Sequence, residues 1–183
     1  MAADPVIPVA GDGWRRPPLG VLLVAVLLIA VAEVGGASMV RFKVELTRWA
    51  RSVMLARPAV HGLVGVRDVD EQILDEALVK LDAGLRLFHM HAEGMGLVII
   101  ATTMAAETLV VAAASRRLLV ALLTLGGAGY PVGYLVWSAL IPFQGIERAK
   151  TVVEWLVWIP FGGAAIVATW WLTGVVALRM VRK

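Results

Sequence analysis

Four long apolar runs limit what this chain can fold into: Leu19–Met39, Gly94–Ala114, Leu118–Ile141 and Val152–Leu178. Each reaches the roughly 20 residues a helix needs to cross the hydrocarbon of a bilayer. Inside lipid the backbone N–H and C=O groups find no water, so such runs satisfy them internally by coiling into helices. Hydrophobic residues make up 60% of the chain, well above the share in a soluble domain. The expected fold is an all-α integral membrane protein with four transmembrane helices in a bundle. The first run reads as a retained helix. It is too long for the apolar core of a signal peptide, and the segment EVGGAS from Glu33 is a poor cleavage site.

The segments between the runs carry their own patterns. Residues 1–18 hold four prolines and two glycines and read as an extended arm, with Trp14, Arg15 and Arg16 at the entry to the first span. Residues 41–57 place Phe42, Leu46, Trp49, Val53 and Met54 on one helical face, with Arg41, Glu45, Arg48 and Ser52 opposite. That is the pattern of an amphipathic helix lying at a membrane interface. Pro58 ends it. Asp68, with Glu71 three residues on, opens a new helix in the manner of a capping box. With no proline before Pro131, this helix (68–93) extends the second span beyond the bilayer, and Gly84 is its weakest point. Ser115-Arg116-Arg117 reads as a tight turn between the second and third spans, and residues 142–151 as a polar loop before the fourth. The membrane domain thus covers 19–183.

Basic residues orient the chain. Arg15, Arg16, Arg116, Arg117, Arg179, Arg182 and Lys183 fall on the side of both termini, against Arg148 and Lys150 in the short loop opposite. The positive-inside rule then puts both termini in the cytoplasm, with a bacterial inner membrane as the expected location. At a net charge of +3 these residues suit lipid headgroups and orientation, and nucleic acid is not an expected partner. The absence of cysteine removes disulfides, thiol redox chemistry, iron–sulfur clusters and cysteine zinc sites.

The chemistry-bearing residues gather around the outer part of the second span. Arg86, His89, Glu93, Gly96, Ile100, Thr103 and Glu107 fall within about 100° of one another on a helix, a polar stripe down an apolar span. His91 points to nearly the opposite face. By depth, Glu33, Tyr130, Tyr134 and Glu154 belong near His89 and Glu93, and His61 approaches from the surface segment. Three chemistries fit. Haem b takes an axial histidine from His89, His91 or His61, with a second histidine or Met90 or Met95 opposite; Gly126, Gly127, Gly129 and Gly133 leave room for a flat macrocycle beside Tyr130 and Tyr134. A metal ion suits His89, His91, Glu93 and Met95, with copper favoured by the His-Met-His cluster and iron or zinc by His89 with Glu93. A proton relay or quinol headgroup suits the carboxylates, with Glu33 and Glu107 as the intramembrane carriers. Against all three stands the simpler reading, that these groups meet headgroups and one another at the interface. No hydrolase, P-loop or dinucleotide motif is present.

In size and composition the chain resembles small membrane subunits of respiratory complexes. From His89, His91 and Glu93 beside the Gly-rich, Tyr-bearing third span, the expected function is a small membrane subunit that binds haem b or a metal (copper or iron) near the outer face and serves electron transfer with other membrane chains. It is not expected to be catalytic by itself. The alternatives are a structural accessory subunit and a small proton-coupled carrier.

Overall fold

The computed structural model describes residues 13–181. Most of the arm expected over 1–18 lies outside them, as do Arg182 and Lys183. Six helices account for nearly all of the described chain: α1 Leu19–Arg41, α2 Lys43–Leu55, α3 Pro58–His61, α4 Arg67–Leu109, α5 Ala113–Gln144 and α6 Ile146–Val181. Four of them, α1, α4, α5 and α6, are long and apolar enough to cross a membrane.

α4 is one unbroken rod of about 65 Å at 1.5 Å per residue. Gly84 does not break it. The residue is buried, and a Cβ there would run into Ser138 Oγ and the Trp137 ring of α5. The glycine is a contact point between the two helices. α4 and α5 run side by side as the central pair, and three apolar clusters stack along them. At one end Ala50 and Met54 of α2 join Leu74, Ala77 and Leu81 of α4, with Ile141 and Ala149. In the middle Ala25, Leu28 and Ala32 of α1 meet Phe88, Ala92 and Ile99 of α4. At the far end Ala106 and Val110 meet Leu119 and Leu123 of α5 and Ala168 and Leu172 of α6.

The turns differ from the expected ones for local reasons. α4 stops at Leu109, five residues early, because Val110 takes an extended conformation and the freed carbonyls acquire arginine donors: Arg116 to Val110 O (3.2 Å) and Arg179 to Leu109 O (3.0 Å). Ser115, Arg116 and Arg117 therefore sit in the first turn of α5. The expected loop at 142–151 shrinks to Gly145, whose φ of 77° reverses the chain in one residue before α6 begins at Ile146. At the start of α4 Asp70 braces the incoming loop, accepting the N–H groups of Val64 and Gly65 at 2.7 and 3.0 Å. Asp68 makes no such bond, and Glu71 instead pairs with Arg51 of α2. That bond pushes Arg51 further above its already high ordinary pKa.

Phe42 separates α2 from α1, and α2 buries only part of the face the pattern marked: Met54 is in the core and Leu46 packs beside it. Ala50 and Met54 are fully buried against α4, while Phe42 and Trp49 stay exposed at 52% and 43%. α6 contains a π-helical stretch at Glu154–Gly162. Pro160 within it has no N–H to donate and would crowd the preceding turn of an α-helix; the wider winding runs across it.

Candidate functional site

The polar stripe of α4 faces α1. Gly96 lies against Ala25 O and Ile29, and seven residues earlier the His89 ring lies against Gly36, so closely that a Cβ there would stand 2.7 Å from the imidazole. His89 Nδ1 is 2.9 Å from Ala32 O and 3.2 Å from a Glu93 oxygen. Both neighbours are acceptors, so Nδ1 is the nitrogen that donates here. Among the described residues Nε2 makes no hydrogen bond. It belongs to a groove of about 670 Å³ between α1 and α4, bounded by Glu33, Met39, Lys43, Asp82 and Arg86. Asp82 and Arg86 pair at 2.8 Å, one turn apart. Arg86 thus takes Asp82 in preference to Glu93, which His89 holds.

His91 faces the other way. Its Nδ1–H donates to Leu87 O at 2.8 Å, one turn back on its own helix. Its ring lies 4.8 Å from Tyr134 and 5.7 Å from Tyr130 by centroids. The two tyrosine hydroxyls are 2.9 Å apart. Tyr134 continues to Trp158 and Trp158 to Trp137 at 5.1 and 6.1 Å. Offset and edge-on pairs of this kind contribute roughly 0.5–1.5 kcal/mol each beyond their buried area. The π-helical stretch is what delivers Trp158 and Phe161 to α5. Trp158 fills the space over Gly133, Phe161 the space over Gly129, and the backbone of Phe161 and Ala165 that over Gly126. The glycine face of α5 is thus occupied by this chain's own α6, which leaves no room there for a macrocycle.

The remaining predicted residues are dispersed. Met95 packs against α5 near Gly127, and Met90 points outward at 64% exposure. His61 lies at the other end of α4's extension: its Nε2–H donates to Pro142 O at 3.1 Å, a carbonyl freed by the turn at Gly145, and its neighbours Ile73 and Ala77 are about 18–24 Å along the helix from His89. Glu107 pairs with Arg116 at 3.1 Å, so its carboxylate is spent at the end of the span. Glu33 borders the groove with no ion pair among the described residues. Glu154 is exposed. Among the described residues no three of His, Asp and Glu come together as a metal-ligand set. Helical angles in the sequence separate His89 from His91, and the structure places them on different neighbours. What those angles do not reveal is the α1 half of the groove, Gly36, Met39 and Lys43. The one local signal was the Gly35-Gly36 pair, which permits close approach of a neighbouring side chain.

The fold defines an all-helical chain with four membrane-crossing-capable helices and a charged groove at the end of α1. Comparison with protein families, curated proteins and solved structures finds no match to this chain.

Proposed function

We propose that this protein is a small integral-membrane subunit that holds a haem in the α1–α4 groove and serves electron transfer within a larger assembly. The observation that carries the reading is His89: its Nδ1–H is engaged by a backbone carbonyl and a carboxylate while Nε2 remains unbonded at the groove. A histidine that ligates iron or another metal is held in this way, with the second nitrogen fixing tautomer and ring orientation. A bare copper, iron or zinc ion needs about four ligands, most of them from protein, and the groove supplies one imidazole. A haem brings its own ring nitrogens and asks the protein for only one or two axial ligands. Met39 is the thioether bordering the same groove, and Lys43 is a cation suited to a propionate carboxylate. The bound haem would supply one-electron chemistry. The protein's part would be to hold the iron through His89 and to balance a propionate with Lys43.

In this reading the chain lies in a bacterial inner membrane with both termini cytoplasmic and the groove at the outer end of the spans. A structural accessory role remains the second reading. It is favoured by the outward apolar faces of α1 and α6, where only 11% of the spanning windows is buried. The carrier reading draws least support, since Glu107 is committed to Arg116.

The test is an oxidised and dithionite-reduced optical spectrum of detergent-purified protein, with elemental analysis of the same sample. The expected result is a Soret band that disappears in His89→Ala and survives in His91→Ala and His61→Ala. Absence of the band with no bound metal overturns the haem reading. A stoichiometric metal without the band moves the proposal to a metal ion.

A further inference from the structure

A second cavity, of about 400 Å³, opens on the other side of the central pair, where α4, α5 and α6 meet. Met95, Val98, Tyr130, Ile166, Thr169 and Trp170 border it. It is apolar apart from its hydroxyls, and they are not equivalent. Thr169 donates to Ala165 O of its own helix at 2.8 Å, so its proton is spent. Tyr130 and Tyr134 bond only to each other, at 2.9 Å. Two phenols carry two protons, and one mutual bond uses one of them. The other has no acceptor among the described residues. An unused donor inside an apolar span is costly unless something supplies the acceptor.

The surroundings narrow what that something is. The cavity runs from the level of Tyr130 to that of Val98, Thr169 and Trp170, along the apolar spans. Acyl chains there have no acceptor. A ligand that fits dissolves in the hydrocarbon and presents a carbonyl-type oxygen to the phenols. Trp170, at 73% exposure, sets an indole at the mouth of the cavity beside the lipid. An indole there suits a flat ring.

We propose that this cavity binds the ring of a membrane quinone, with the free phenolic proton of the Tyr130–Tyr134 pair donated to a quinone carbonyl and the isoprenoid tail leaving past Ile166 into the lipid. The inference concerns binding alone and does not depend on a haem at His89.

The test is equilibrium binding of radiolabelled decylubiquinone to the full-length protein in detergent, with dioleoyl phosphatidylcholine as competitor. Wild type is expected to bind saturably and to resist the phospholipid. Tyr130→Phe, which removes a donor, should weaken binding about 5- to 30-fold, the worth of one hydrogen bond. Ile166→Trp, a change on a lipid-facing residue that leaves the core untouched, should fill the cavity and abolish binding. Thr169→Val should change it less than about twofold, because that hydroxyl is already spent. No saturable binding by wild type, or unchanged binding by both Tyr130→Phe and Ile166→Trp, overturns the proposal. Equal competition by the phospholipid does so too, and would make the cavity an acyl-chain groove. Failure here would be read in ligand binding and failure of the haem reading in the optical spectrum.

Discussion

Arg116 makes two interactions at the point where α4 ends. It pairs with Glu107 at 3.1 Å and donates to Val110 O at 3.2 Å, and both side chains of the pair are about four-fifths covered. Removing one partner of a covered pair leaves the other charge uncompensated, which costs more than the pair itself contributes. Glu107→Gln keeps a carbonyl acceptor for Arg116 and leaves the Val110 bond intact. It still leaves the Arg116 charge uncompensated, and a loss of about 1–3 kcal/mol is expected. Arg116→Ala strands the Glu107 carboxylate and uncaps the helix, and should cost about 3–5 kcal/mol. Unfolding free energies in mixed micelles check the order; equal losses would mean that the Val110 bond contributes nothing. At this scale the sequence revealed the problem and not its solution. A carboxylate in an apolar span demands a partner, and the angular pattern put Glu107 on a polar stripe. Which arginine reaches it depends on a turn displaced by five residues, and two consecutive valines do not announce that displacement. His89 is similar: its face was legible, while Ala32 O and Gly36 opposite it follow from the register of α1 against α4, which no local pattern encodes.

Elements were far more legible than their junctions. Length and apolar content alone identify the four long helices, because lipid offers the backbone no other option. In the α4 extension Leu74, Ala77 and Leu81, at helical spacing, are the buried face. α2 was legible as an amphipathic helix, with Met54 on its marked face buried. Its amphipathic period is real, but an interfacial helix and one docked on a neighbour have the same period, and the small residue Ala50 decides which face goes in. Met54→Ala should therefore destabilise the protein by about 2–5 kcal/mol, the cost of emptying a fully buried site. Phe42→Ala, at an exposed position, should change stability by no more than about 0.5 kcal/mol. A larger effect of Phe42→Ala would return α2 to the membrane surface as its principal partner. Glycines make the complementary contrast. A Cβ on Gly126 would stand 2.6 Å from Ala165 N and 2.8 Å from Phe161 O, backbone atoms that cannot move aside without shifting α6, whereas Gly94 has nothing within 4 Å. Gly126→Ala is expected to lose about 1–3 kcal/mol, and Gly94→Ala to gain up to about 1 kcal/mol from helix propensity. Thermal unfolding of both variants in one detergent compares them directly.

At the scale of the whole molecule the hydrogen bonds already determine relative topology. Arg15 N–H meets Thr108 Oγ1 at 2.9 Å and Arg179 meets Leu109 O, so the start of α1, the end of α4, the start of α5 and the end of α6 lie together. The opposite end holds Gly145, His61 and the α2–α4 contact. Four crossings demand this arrangement, and it concentrates Arg15, Arg16, Arg116, Arg117 and Arg179 at one end. Which end faces the cytoplasm is a matter of translocation energetics, and short flanks rich in arginine are the ones retained inside. The competing pull comes from α2, whose Arg48 and Arg51 lie at the other end; Arg51, however, is already neutralised by Glu71, and long connections count less than short ones. The absence of cysteine makes the question easy to put to the protein. In Ala112→Cys the single thiol sits in the exposed α4–α5 turn, and in Glu147→Cys it sits on the exposed first turn of α6. A membrane-impermeant maleimide applied to intact spheroplasts should label Glu147→Cys and reach Ala112→Cys only after the membrane is opened. The reverse pattern would put the His89 groove on the cytoplasmic side. Under the proposed haem reading its electron donors would then lie inside the cell, and the partner to search for would be a cytoplasmic protein and not a periplasmic one.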